Sequence, residues 1–150
     1  MRRPTSRATS TMRHTPAPAG EPHVILIVDD NADMVETLSI LIESFGHTAV
    51  GAHTGSEAIE VAKRVKPDVV LLDIGLPDVN GFEVCRRLRE KHLKGHTCIV
   101  AVTGWAGNNQ RAEALSAGFD EYLVKPVDVD CVLRALHDCR SHTTLRAASA

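Results

Sequence analysis

The sequence predicts an α/β fold, a doubly wound five-stranded parallel sheet with helices on both faces. Two observations predict it. Five short apolar runs rich in Val, Ile and Leu recur along the chain, and each is followed by a segment with apolar residues at helical spacing. Strands alternating with helices of this length require crossovers, which are right-handed and leave few topologies other than doubly wound ones.

The elements follow in order. Residues 24–28 are a continuous apolar run, as expected of a strand buried on both faces. Asn31 or Asp33 can cap the next helix, whose inward positions are Met34, Val35, Leu38, Leu41, Ile42 and Phe45. Gly46 suits its left-handed stop. Residues 47–52 form a weaker second strand. A helix over 56–65 turns Ala58, Ile59, Ala62 and Val65 inward and ends before Pro67. The third strand covers 68–73 and the third helix 82–93, ended by Gly95. The fourth strand covers 97–102, with a helix over 109–117 stopped by Gly118. The fifth strand covers 119–124, and a last helix over 128–139 is capped by Asp128.

Composition sets the limits. The 150 residues are 43% hydrophobic and 24% charged, ordinary for one globular domain. The net charge is −2, so no global basic field points to nucleic acid. The first twenty residues hold Arg2, Arg3, Arg7 and Arg13 and no acid. The overall −2 less those four charges leaves about −6 on the rest. This segment has the composition of a transit peptide but no apolar face, and it reads as a disordered tail over 1–22. A second such tail is expected over 141–150, leaving a domain over 23–140. No apolar run approaches bilayer-spanning length, so no membrane partner is expected. Cys85, Cys98, Cys131 and Cys139 show no CxxC spacing and read as reduced thiols of a cytoplasmic protein. His92 and His96 have helical metal-pair spacing, but Gly95 between them argues against a zinc site.

In open α/β sheets the functional crevice lies at the strand carboxyl ends. Here the first strand ends in Asp29-Asp30, the third in Asp73 and the fourth in Thr103-Gly104, while Lys125-Pro126 follows the fifth. Each alone has a plain reading as a cap, a turn or a loop. All four at the correct strand ends form a complementary set. Three neighbouring carboxylates repel one another, and one divalent cation with one lysine neutralises them. Mg²⁺ prefers such oxygen ligands and bridges to phosphate. The set suits phosphoryl transfer, with one carboxylate as nucleophile.

The residues that carry this chemistry resemble the receiver domains of bacterial response regulators. The matching segments are VILIVDDNADM (24–34), PDVVLLDIGLPDVNGFEV (67–84), IVAVTGW (99–105) and AGFDEYLVKPVD (117–128), spaced over about 23–140. The resemblance implies a flavodoxin-like, CheY-like sheet of strand order 2-1-3-4-5 with five helices. It implies that Asp73 accepts the phosphoryl group. Asp30 would bind Mg²⁺ directly, Asp29 through water, and the Gly75 carbonyl would be a further ligand. Lys125 and Thr103 would contact phosphoryl oxygens, Thr103 and Tyr122 would be the switch pair, and the peptide before Pro126 would be cis. Pro77 would stiffen the loop after the nucleophile, and Gly81 would supply positive φ.

The expected function is two-component signalling by a stand-alone receiver. It would take its phosphoryl group from a phosphohistidine on a sensor or hybrid histidine kinase or a histidine phosphotransfer protein. Output would be contact with a downstream target protein or onward phosphorelay, and the family's phosphorylation-dependent homodimer is compatible with it. It would be no enzyme but a phospho-acceptor that assists its own phosphorylation and dephosphorylation. No direct nucleic-acid contact is expected, because the residues after the last helix are too few for a helix-turn-helix. Trp105, beside Thr103, is either a contact residue or half-buried in its loop. Three rivals fit less well. A receiver-like scaffold that never uses phosphate would not need the full set of acids, Thr103 and Lys125. A haloacid-dehalogenase-type enzyme wants Asp-x-Asp after its first strand, and a flavodoxin-like nucleotide binder wants donors where residues 29–33 place three acids.

Overall fold

The computed structural model describes residues 22–92, 97–105 and 107–149. Five parallel strands run β1 (Val24–Val28), β2 (Thr48–Ala52), β3 (Val69–Asp73), β4 (Cys98–Thr103) and β5 (Glu121–Val124). Their order in the sheet is β2-β1-β3-β4-β5, as expected. The helices are α1 (Ala32–Ser44), α2 (Gly55–Val65), α3 (Gly81–Arg87), α4 (Asn108–Ala117) and α5 (Val129–Ser149). A π-helical turn, Leu88–His92, continues α3.

Burial explains the order. Every residue of β3 and β4 is buried, as is β1 after its first residue, so these strands sit centrally. β2 and β5 are mostly half-exposed and form the edges. Alternate side chains face opposite layers. Leu26, Val28, Val70, Leu72, Ile99 and Ala101 pack with α2, α3 and α4. Ile25, Ile27, Leu71, Val100 and Val102 pack with α1 and α5. The polar ends of β1, β3 and β4 thus emerge from an apolar double layer at one edge of the sheet.

Local sequence sets the helix ends. Asn31, rather than Asp33, caps α1 by accepting from the N–H groups of Asp33 and Met34. Gly46 lies at φ 92° and Gly118 at φ 110°, the left-handed stops anticipated for them. α2 ends one residue before Pro67, on Lys66 in the same left-handed region at φ 47°. Asp128 accepts from the Cys131 N–H at the start of α5.

Four expectations need correction. Gly81 does not adopt positive φ. It is a close approach instead, since a Cβ there would lie 2.5 Å from Ile74 Cα and 2.8 Å from the Asp73 carbonyl oxygen. The expected single helix over 82–93 is α-helical only to Arg87 and then π-helical. Arg89 in that turn donates to the carbonyls of Thr97 and Gly118 and pairs with Asp120, tying the turn to the starts of β4 and β5. Residues 141–149, expected as a tail, continue α5, because no glycine or proline interrupts it. Cys98 and Cys139, expected as thiols, form a disulfide across a separation of 41 residues, while Cys85 and Cys131 are free. Chain length and CxxC spacing are poor guides here, because a crossover helix returns to its strand from far along the chain. The expected tail up to residue 21 and His96 of the histidine pair lie outside the described residues. Among the described residues, no helix is long and apolar enough to cross a membrane.

Two glycines give a paired prediction. Gly81→Ala should cost about 1–3 kcal/mol in urea unfolding, because backbone stands where the methyl must go. Gly104→Ala should fall within about 0.5 kcal/mol, because nothing lies within 4 Å of its Cβ position. Asp78 gives another. Its carboxylate accepts from the Gly55 and Ser56 N–H groups at the start of α2, which lowers its pKa to about 2. Its stabilising contribution is complete above the ordinary value of 3.8 and is lost as pH falls through about 2. Carboxyl NMR titration should find its midpoint near 2, and Asp78→Asn should flatten the acid limb of stability against pH.

Candidate functional site: an acid cluster at the strand ends

β1 and β3 are neighbours, with Val28 in register with Leu72. The residues that follow, Asp29 and Asp73, therefore leave the sheet side by side. Both are largely buried, at 3% and 6% exposure, while Asp30 is exposed. One carboxylate oxygen from each of the three lies within 4.8 Å of the other two. β4 pairs with β3 and β5 with β4, so Thr103 and Lys125 arrive at the same edge.

Each acid is held in place. The Asp29 N–H donates to the Ala52 carbonyl, and Asp29 Oδ1 accepts from the Asn31 N–H at 2.9 Å. Asp73 Oδ1 accepts from the Gly75 N–H at 3.0 Å. Behind Asp73, the Gly81 N–H donates to the Ile74 carbonyl, which is why Gly81 must have no side chain. The Lys125–Pro126 peptide is cis, and the Lys125 N–H donates to the Thr103 carbonyl at 2.7 Å. Pro77 lies exposed in the loop between Asp73 and α3.

Lys125 Nζ stands 3.0 Å from Asp29 Oδ2 and 3.5 Å from Asp73 Oδ2, a half-buried ammonium shared by two carboxylates. The charges do not balance. Burial raises the Asp73 carboxyl above its ordinary value, and Asp29 raises it further, against the lowering effects of the Gly75 N–H and Lys125. Lys125 is in turn raised by both acids, against the opposing effect of its own burial. One lysine facing three carboxylates leaves a negative pocket of hard oxygen donors. That donor set fits Mg²⁺ or a similar hard divalent cation, with Asp29, Asp30 and Asp73 as the residues able to hold it.

The expected switch residues also come together. Thr103 is buried, and its Oγ1 accepts from the Trp105 N–H at 3.2 Å. Tyr122 packs against the core cluster beneath α4, and its hydroxyl donates to the Trp105 carbonyl at 2.8 Å. The Arg111 guanidinium lies 5.7 Å from the Tyr122 ring centre. Trp105 is 70% exposed, not half-buried, and borders a shallow groove of about 400 Å³ with Gly107, Asn109, Gln110 and Glu113. Gly75 is exposed, and a Cβ there would make only ordinary contact with Asp73 Oδ1 at 3.8 Å.

Every site residue read from the sequence except Tyr122 lies at this edge or in the segments that frame it; Tyr122 lies within β5, in register with Ala101, and reaches the Trp105 carbonyl through its hydroxyl. Two features escaped that reading. Asn31 was seen only as a helix cap, yet its own N–H also anchors Asp29. Asp78 was given no role of its own, yet it ties the loop before α3 to α2. Neither leaves a signal in one sequence, because the partners are backbone N–H groups.

The chain is similar to known proteins in sequence and fold. The model of the response regulator receiver domain matches residues 25–137. PilH of Pseudomonas aeruginosa is 33% identical over 113 residues, which cover 75% of this chain and 93% of that protein. The polar-differentiation response regulator DivK of Brucella anthropi is 32% identical over 108 residues, covering 72% and 88%. A CheY-like receiver domain from Methanospirillum hungatei superposes with a TM-score of 0.77 at 26% identity, covering 84% of this chain and 99% of that one. Receiver domains of this kind bind Mg²⁺ in an acidic pocket and interact with histidine kinases and downstream targets. With its sheet order, its strand-end acids and its lysine accounted for together, the chain belongs to the response regulator receiver domain family of two-component systems.

Proposed function

We propose that the chain accepts a phosphoryl group on Asp73 from a phosphohistidine and passes the signal on through its surface. The observation that carries this reading is the shared position of Lys125 Nζ against both Asp29 and Asp73. A purely structural lysine would need only one acid. This one stands where charge would develop on a transferred phosphoryl group.

In the proposed reaction the Asp73 carboxylate attacks phosphorus. The P–N bond breaks, and the imidazole leaves with its electron pair and takes up a proton. The product is an acyl phosphate. Asp73 is aimed by the Gly75 N–H on its Oδ1, with Oδ2 turned to Lys125. Lys125 moves its charge from Asp73 to a phosphoryl oxygen. Thr103 gives up the Trp105 N–H and turns its hydroxyl to another. Tyr122, bonded to the carbonyl of the same Trp105, responds to that movement. Mg²⁺, held by Asp29, Asp30, Asp73 and the Gly75 carbonyl, would neutralise the carboxylates and the phosphoryl oxygens. Water attacking the acyl phosphate resets the chain, so it assists its own phosphorylation and dephosphorylation without turning over a separate substrate.

The donor would be a sensor or hybrid histidine kinase or a histidine phosphotransfer protein. The recipient of the signal would be a target protein, a further phosphotransfer partner or a second copy of the chain. Such a donor implies a cytoplasmic site of action, and the cystine is the feature that pulls against it.

Phos-tag electrophoresis after acetyl phosphate with Mg²⁺ tests the reading. Wild type should shift, Asp73→Asn should not, and EDTA should abolish the shift. A shift that survives Asp73→Asn removes Asp73 from the role. Lys125→Ala should lower the phosphorylated fraction at least tenfold while the fold persists by circular dichroism.

The raised Asp73 pKa adds a stability test. Ionising Asp73 costs folding free energy, a cost absent below pH 3.8 and complete above its raised folded value. Without metal at neutral pH, Asp73→Asn should therefore melt a few degrees above wild type. Millimolar Mg²⁺ should narrow that gap by stabilising wild type more.

A further inference from the structure

Cys98 opens β4, at the sheet edge opposite Thr103, roughly 17 Å away along the strand. Cys139 lies on α5, and both residues are 1% exposed. The described face by which α5 meets the sheet is Val132, Ala135, Leu136 and Cys139, a stripe at helical spacing. Two of these four are small, so little apolar surface holds the helix. The Cys98–Cys139 bond stands at the far end of that stripe, where it adds a covalent tie. Among the described elements, α5 packs on β4 and β5.

We infer that Cys98 and Cys139 form a reversible thiol–disulfide site that sets how firmly α5 is held, a redox input separate from the acid cluster. The co-reactants are low-molecular-weight disulfides and dithiols. In oxidation, one cysteine thiolate attacks a small disulfide and expels one thiolate. The second cysteine thiolate then attacks the mixed disulfide, forms the protein S–S bond and expels the other. A dithiol reverses both steps, delivering two electrons and two protons to the pair and closing its own disulfide. Because both sulfurs are buried, exchange requires α5 to open, and its rate follows that opening. Of the two remaining thiols, Cys85 is the poor competitor. Cys85 is buried, which pushes its pKa up to about 12, so it stays protonated and inert. Cys131 is half-exposed on α5 but unbonded. This inference does not depend on phosphorylation.

The test equilibrates the purified chain with oxidised glutathione or with dithiothreitol. Alkylation under denaturing conditions should then count two thiols in the oxidised form and four in the reduced form. Reduction should lower the melting temperature by on the order of 10 °C. Amide exchange across 132–139 should accelerate at least tenfold on reduction, with β1 and β3 unchanged. The double variant Cys98→Val, Cys139→Ala keeps an apolar contact without the bond, and dithiothreitol should change neither its melting temperature nor its exchange. Mg²⁺-dependent beryllofluoride binding should agree within twofold between the two redox forms of wild type. Four alkylated thiols after oxidised glutathione would overturn the inference. So would equal α5 exchange in both forms, a reductant effect that persists in the double variant, or beryllofluoride binding that follows the redox state.

Discussion

Everything at the functional edge follows from one unfavourable fact: Asp29 and Asp73 leave adjacent strands, are both largely buried, and share one lysine. A stable fold with no other purpose would relieve this repulsion by losing an acid. Retaining both stores negative charge where water is scarce, and among the described residues the partial relief comes from Lys125 and fixed N–H groups. A hard divalent cation can supply the positive charge that is missing. Asp73 itself registers the deficit, since its carboxyl is raised despite a lysine and an N–H donor beside it. The pocket's readiness for ligand and its cost to folding are the same quantity.

The scaffold makes that cost tolerable. β1, β3 and β4 are buried on both faces and pack against helices in two separate layers, so the acids project from the buried centre of the sheet. Gly81 shows how tightly the support is built. The start of α3 rests directly on the backbone of Asp73 and Ile74, leaving Asp73 little room to retreat. Gly104 and Gly75, on the side facing outward, have space around them, so the glycines of the site serve opposite purposes.

Much of this was legible in the sequence. The buried strands announced themselves as unbroken apolar runs, and the acids, Thr103 and Lys125 stood out because they interrupt those runs at fixed places. Helix stops at Gly46 and Gly118 were legible because a left-handed residue favours glycine. What could not be read depends on relations between distant backbones. Gly81 was correctly singled out for the wrong reason, because close approach and positive φ both favour glycine. The length of α5 was missed because small polar residues weakly disfavour a helix without ending it. The Cys98–Cys139 bond was missed because spacing rules describe neighbours along the chain, whereas β4 and α5 meet by topology. Arg89 is unremarkable in sequence, and its partners are carbonyls that nothing distinguishes until the fold exists.

The strand order carries a consequence for how the molecule comes into being. Because β1 lies between β2 and β3, joining its acids to Asp73 requires a pairing that skips over a strand and two helices, and adding Lys125 requires the sheet to grow outward through β4 to β5. Such non-local closure is slow relative to helix formation. Until β3 reaches β1, the chain carries its first two acids in water, dispersed and inexpensive. The electrostatic conflict begins when β1 pairs with β3, and the ammonium that moderates it arrives only with β5, so the acid edge is least favourable until the outer strand is in place.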